Sequence, residues 1–252
     1  MSHFARHIDT VIFDLDDTIL DWAKLDGNFG TVNQMHVGYL YDYLATADLP
    51  LPPKDDFLQT FRNTVIESWR VAKQTWAGVR FQTVLVDSLT AVNLDPTQLD
   101  MDDLMQAYRW GPMPGVVPFA DAEATLSSLR QQGYKIGLIT NAMLPMWMRD
   151  IELAHYGLRD YFHARITSGD TGYMKPHPAI YWRMMGLLDT TPDRVMFVGD
   201  RPENDIAGAN EVGMVSVLMS PDHLDMPLNG VEPHYTITRL EQLLPILQAF
   251  DE

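Results

Sequence analysis

The sequence predicts an α/β fold, with a parallel-sheet core covered by helices on both faces and a helical segment inserted after the first strand. Three observations predict it. From residue 120 onward, short apolar runs alternate with amphipathic stretches of helical length. Residues 22–110 lack that alternation and carry their aromatic and apolar residues at helical spacing. A Pro/Gly-rich connector, GPMPGVVPF at 111–119, divides the two rhythms. Strands alternating with helices imply right-handed crossovers, and therefore a parallel sheet buried on both sides.

The first strand is 11–13 (VIF), a short apolar run ending at Asp14. Residues 22–110 read as several amphipathic helices, broken at LPLPPKDD (49–56), at Gly78 and at NLDPTQ (93–98). Tyr39, Tyr43, Leu44, Trp69, Ala72 and Trp76 are read as core packing of those helices. After the connector come a helix at 120–132, a strand at 135–140, a helix at 144–156 and a short strand at 163–167. A helix at 179–188, a strand at 194–198, a helix at 206–212 and a strand at 215–219 complete the pattern. The core is thus Rossmann-like, built from residues 1–21 and 112–252, with 22–111 as the helical insertion.

Composition narrows the function. The 252 residues are 46% hydrophobic and 21% charged, the balance of an ordinary globular chain. The net charge of -16 argues against nucleic acid or an anionic membrane as the main partner, because both need basic patches. An anionic substrate must then be drawn in by a local positive group or a metal. With no cysteine there is no disulfide framework and no thiolate chemistry. MSHFARHIDT has no apolar central region and no apolar run reaches membrane-spanning length, so a cytoplasmic location is expected.

Polar residues of a special kind sit at three strand ends. Asp14 and Asp16 follow the first strand, the strand at 135–139 ends in Thr140 and Asn141, and Asp200 and Asp205 follow the strand at 194–198. Lys175 lies in the loop YMKPHP just before a helix. In open parallel sheets the ligand crevice lies outside the carboxyl ends of the strands, so these residues should converge. Clustered carboxylates suit a hard cation such as Mg²⁺. Lysine and hydroxyl donors suit a phosphate. An aspartate can attack phosphorus, and a second carboxyl can protonate the leaving oxygen.

FDLDDT, GLITN, YMKPHP and FVGDRPENDIAGA, in that order, resemble the four motifs of the haloacid dehalogenase superfamily of phosphohydrolases. The resemblance implies that Asp14 is the nucleophile and a Mg²⁺ ligand. It implies that Asp16 is the general acid and base, with its backbone carbonyl on the metal. Thr140 would hold a phosphate oxygen with Asn141 nearby, and Lys175 would bridge nucleophile and phosphate. Asp200 would bind the metal, and Asp205 would complete the acidic shell through water or by orienting Lys175. The insertion between the first and second motifs would be a helical cap closing over the site. The expected substrate is a small phosphorylated metabolite, the expected state a monomer or homodimer.

Plainer roles are assigned to the neighbours. Asp17 stands where many such proteins have glycine and is read as a solvated loop carboxylate. Thr18 is expected to fix the loop, Asp21 to cap a helix starting at Trp22, and His177 to start the helix at Pro178. Arg62, Arg70, Lys73 and Arg80 are the basic candidates of the insertion, each read as a surface charge. Three other readings stay open: a sugar phosphomutase, a 2-haloacid dehalogenase, which would not need Asp16, and a non-catalytic binding protein.

Overall fold

The computed structural model describes residues 7–25, 29–47, 49–224 and 226–250. Strand β1 (Thr10–Phe13) is the centre of a six-stranded sheet. A two-stranded ribbon, β2 (Leu20–Asp21) with β3 (Val117–Pro118), brackets the helical insertion. The remaining sheet strands are β4 (Lys135–Thr140), β5 (Ala164–Thr167), β6 (Val195–Gly199), β7 (Val215–Met219) and β8 (Tyr235–Ile237). Their order is β5-β4-β1-β6-β7-β8, and every pairing is parallel. β4 lies on one side of β1 and β6 on the other, so the strand order reverses at β1. That makes the carboxyl end of β1 the switch-point crevice.

Side chains alternate across the sheet, as the two-residue strand period requires. Val11, Phe13, Ile136, Leu138, Met196 and Val198 face one apolar cluster, while Ile12, Ile139 and Phe197 face the other. Helices α5 (Ala122–Gln131), α6 (Met146–His155) and α10 (Leu243–Gln248) cover the first face. Helices α8 (Pro178–Leu188) and α9 (Ala207–Glu211) cover the second, and α7 (Ser168–Thr171) is a single turn after β5. The structure therefore agrees with the expected α/β class. It adds β8 and α10, which lie past the last strand read from sequence.

Between β2 and β3 the described residues hold only helices: α1 (Phe29–Leu44), α2 (Lys54–Thr75), α3 (Phe81–Ala91), a short 3₁₀ turn (Pro96–Gln98) and α4 (Met101–Ala107). The breaks have local causes. Pro52 and Pro53 precede α2. Trp76 ends it in the left-handed region at φ 54. The Asp100 carboxylate accepts the N–H groups of Asp102 and Asp103 at the start of α4. The interior of the insertion is aromatic: Tyr108 stacks on His36 at 5.0 Å and meets Phe81 edge-on at 4.6 Å.

One expectation at the entrance changes. No helix starts at Trp22. Leu20 and Asp21 are drawn into the ribbon with β3, α1 starts at Phe29, and Asp21 accepts the Ala23 N–H at 2.8 Å in a turn. The insertion also touches the core away from its two crossings. Gly78 donates to the Gly172 carbonyl and Met174 to that of Trp76, both at 2.9 Å. A Cβ on Gly78 would lie 1.9 Å from the Ser168 carbonyl oxygen, so only glycine allows this seam. No helix among the described residues is long and apolar enough to cross a membrane.

Candidate active site

Asp14 leaves the end of β1 and is buried. Its Oδ1 receives the Lys175 ammonium at 2.5 Å. The same ammonium reaches Asp205 Oδ1 at 2.7 Å and the Ile139 carbonyl at 2.9 Å. Lys175 comes from the loop before α8, and Asn141 fixes that loop. The Asn141 amide donates to the Lys175 carbonyl at 2.9 Å and its oxygen accepts the Lys175 N–H at 2.8 Å. Both ends of the Asn141 side chain are thereby used on the lysine's backbone, beside the Thr140 position where a substrate-binding role was expected. His177 accepts the Ala179 N–H at 3.1 Å and starts α8, as its sequence position suggested.

Asp200 follows Gly199 at the end of β6, and Asp205 lies on a π-helical turn (Pro202–Ile206). Asp205 Oδ2 accepts the Arg201 N–H at 2.9 Å and closes that loop. A Cβ on Gly199 would stand 2.4 Å from the Asp205 carboxyl carbon, so the glycine makes room for the carboxylate under the strand end. One carboxylate oxygen from each of Asp14, Asp200 and Asp205 lies within 4.8 Å of the others. Asp200 Oδ2 is buried without an aligned hydrogen bond, with Arg201 Nε beside it at 3.0 Å. Burial raises the Asp14 carboxyl to about 7; Lys175 opposes the rise, while Asp205 and Asp16 add to it. Burial, with Asp14 and Asp205 alongside, raises Asp200 to about 9. Burial also works against the Lys175 ammonium, but Asp14 and Asp205 outweigh it and hold the lysine above its ordinary value. Three crowded oxygen ligands with one orphaned lone pair fit a hard divalent cation.

Asp16 stands outside that triad. Its Oδ1 accepts the Trp22 indole N–H at 2.9 Å and Arg149 Nη2 at 2.5 Å, and its Oδ2 accepts the Thr140 hydroxyl at 3.4 Å. Arg149, on α6, is 4% exposed and pairs through Nε with the buried Glu152 at 2.8 Å. Sequence reasoning assigned no role to Arg149, Glu152 or Trp22. An Arg and a Glu three apart on an amphipathic helix ordinarily mark a solvent-facing pair. Asp17 is also more than a solvated carboxylate. It takes φ 60, the left-handed conformation that suits glycine, and its Oδ1 accepts the Trp22 N–H at 3.2 Å. Thr18 is buried with its hydroxyl unbonded, so it holds the loop by packing.

A cavity of about 270 Å³ opens beside Asp16, bounded by Trp22, Trp69, Trp110, Met143 and Arg149. Of the basic residues of the insertion, Lys73 borders a neighbouring 450 Å³ cleft with Arg201, and Arg70 is spent on Glu67 at 2.5 Å.

Fold and cleft together define an α/β protein that gathers carboxylates and one buried lysine at its switch-point crevice, a donor set that fits a hard cation. The family model of haloacid dehalogenase-like hydrolases matches residues 8–213. A glyceraldehyde 3-phosphate phosphatase of Pyrococcus furiosus is 34% identical over 96% of this chain and 94% of its own length. A ribulose-1,5-bisphosphate 5-phosphatase of Halopiger xanaduensis is 38% identical over 84% of each chain. Among solved structures, a 2-haloacid dehalogenase of Pseudomonas syringae pv. Tomato matches with TM-score 0.66 and 25% identity, over 97% of this chain and 100% of that one. The chain belongs to the haloacid dehalogenase-like hydrolases.

Proposed function

We propose that the cleft hydrolyses small phosphomonoesters through an aspartyl-phosphate on Asp14, with Mg²⁺ as the cation. The chain is a phosphohydrolase of its family. The observation that carries the mechanism is the Lys175 ammonium bridging Asp14 and Asp205, with a second carboxyl, Asp16, two residues after the first. Asp14 attacks phosphorus as the ester P–O bond breaks, and Asp16 gives its proton to the departing alkoxide. Asp16 then takes a proton from water. The water oxygen attacks phosphorus, the Asp14–phosphorus bond breaks and inorganic phosphate leaves. Lys175 holds the attacking carboxylate and offsets charge on the phosphoryl oxygens. Asp14 and Asp200 would hold the Mg²⁺, with Asp205 orienting Lys175. A cation held there would supply positive charge to offset that of the phosphoryl oxygens.

Residues 22–111 act in this reading as a cap over the cleft, and its aromatic side chains border the space beside Asp16 where the leaving group departs. Asp16 favours phosphate over halide chemistry, because a halide leaves without a proton. The test is phosphate release from a panel of phosphorylated metabolites with Mg²⁺ present. Asp14→Asn should lower kcat by about 10⁴-fold or more while the circular dichroism stays native. Near-normal turnover of that variant would remove Asp14 as nucleophile. Isomerised sugar phosphate in place of free phosphate would point to a mutase, and halide released from a 2-haloacid to a dehalogenase.

A further inference from the structure

Asp16 has to place one carboxyl oxygen against the leaving-group oxygen, yet it sits on a tight loop and its side chain is 33% exposed. The loop alone does not fix that side chain. The structure holds it with one nitrogen of a planar guanidinium from another element. Arg149 Nη2 lies 2.5 Å from Asp16 Oδ1, and the arginine is itself immobilised from behind by Glu152 at 2.8 Å. Its guanidinium carbon also lies 5.7 Å from the ring of Trp110, on the chain segment returning from the insertion. Trp22, on the outgoing segment, donates to the same Asp16 oxygen at 2.9 Å.

Stability is a poor reason for this arrangement. Removing an arginine and a glutamate from water costs several kcal/mol per ion, and well-packed apolar residues often serve as well. An arginine is suited to orienting a carboxylate, because its fork is rigid before it binds.

We infer that Arg149 is the positioning residue for the proton-transfer carboxyl of Asp16, locked in place by Glu152 and Trp110. This rests on the phosphohydrolase reading of the cleft. It makes Arg149 matter in proportion to how much a leaving group needs a proton. An aliphatic alkoxide needs one in the transition state, whereas 4-nitrophenolate departs as an anion.

The experiment measures kcat/KM with Mg²⁺ for glycerol phosphate and for 4-nitrophenyl phosphate, since that parameter reports the step that expels the leaving group. Arg149→Met should lower the value for glycerol phosphate by about 10²-fold, and that loss should exceed the loss on the aryl ester by about tenfold or more. Arg149→Lys should restore part of the difference. Arg149→Met leaves Glu152 buried without its partner, so the double variant Arg149→Met/Glu152→Gln is measured as well and should show the same split between the two esters. Equal losses on both esters, in either variant, would overturn the inference and leave the phosphohydrolase reading standing. Wild-type protein that releases phosphate from neither ester nor any metabolite would instead remove that reading, and the inference with it.

Discussion

The cleft and the helical insertion both bury polar side chains, and they do so by opposite means. Around the cleft the chain gathers acidic and basic side chains and pairs them: Asp14 and Asp205 share Lys175, and Glu152 and Asp16 share Arg149. Among the described residues of the insertion the buried polar side chains are His36 and Ser88, and the Ser88 hydroxyl lies buried without a partner. His36 Nδ1 donates to the Tyr108 carbonyl at 2.9 Å, and the Tyr108 hydroxyl donates to Asn33 at 2.7 Å. Aromatic stacking supplies the rest. The cleft therefore buries more carboxyl groups than cations, Asp14, Glu152, Asp200 and Asp205 against Arg149 and Lys175. The described residues of the insertion bury no Asp, Glu, Lys or Arg side chain.

The contrast is most exposed at Lys175. Lys175→Met removes the one cation shared by Asp14 and Asp205. Truncating one partner of a buried pair costs about 3–5 kcal/mol. Losing a preorganised electrostatic partner costs about 10²–10³-fold in kcat. A urea titration without Mg²⁺ and a phosphate-release assay with it check the two effects. Near-wild-type values in both would mean that the carboxylates do not depend on the lysine.

Next in size is the cation itself. If the carboxylate excess is a metal site, Mg²⁺ should stabilise the folded protein, by about 2.7 kcal/mol at about 100 times its dissociation constant. Asp200→Asn should remove most of that gain, while a matched substitution in the insertion should leave it. Thermal unfolding with and without Mg²⁺ decides the point, and an unchanged gain in Asp200→Asn would take that residue out of the ligand set.

The same contrast explains what could be read from the sequence. Asp14, Thr140, Lys175, Asp200 and Asp205 were legible because each sits at a strand end or loop fixed by local pattern, and a parallel sheet gathers such ends at one crevice. Arg149 was hidden. Its helix was legible, but only tertiary packing turns an Arg/Glu pair three apart inward, onto a carboxylate far away in the sequence. The ribbon of β2 and β3 was hidden for another reason: two residues a side are too few for a strand period. Asn141 was read from sequence as lying beside the substrate; its partner in the structure is the backbone of Lys175, a pairing that loop geometry decides.

The smallest effect separates the two regions by the sign of their pH response. Burial lowers the His36 pKa, against the pull of the Tyr108 and Arg109 carbonyls. A base with a depressed folded-state pKa binds fewer protons folded than unfolded. Its contribution to stability is present above the ordinary value of 6.5 and is lost as pH falls from there through the folded value. Glu152 has the other sign. Burial lifts it from 4.5 to about 7, against the pull of Arg149, so its protonated form is favoured in the folded protein. Stability tied to Glu152 is complete below 4.5 and declines as pH rises towards about 7. His36→Gln should therefore flatten the acid-side loss below 6.5 and leave the decline from Glu152 in place, whereas Glu152→Gln should do the reverse. Urea midpoints across that range measure both slopes. If His36→Gln left the acid-side slope unchanged, the insertion would not owe its acid sensitivity to that buried imidazole.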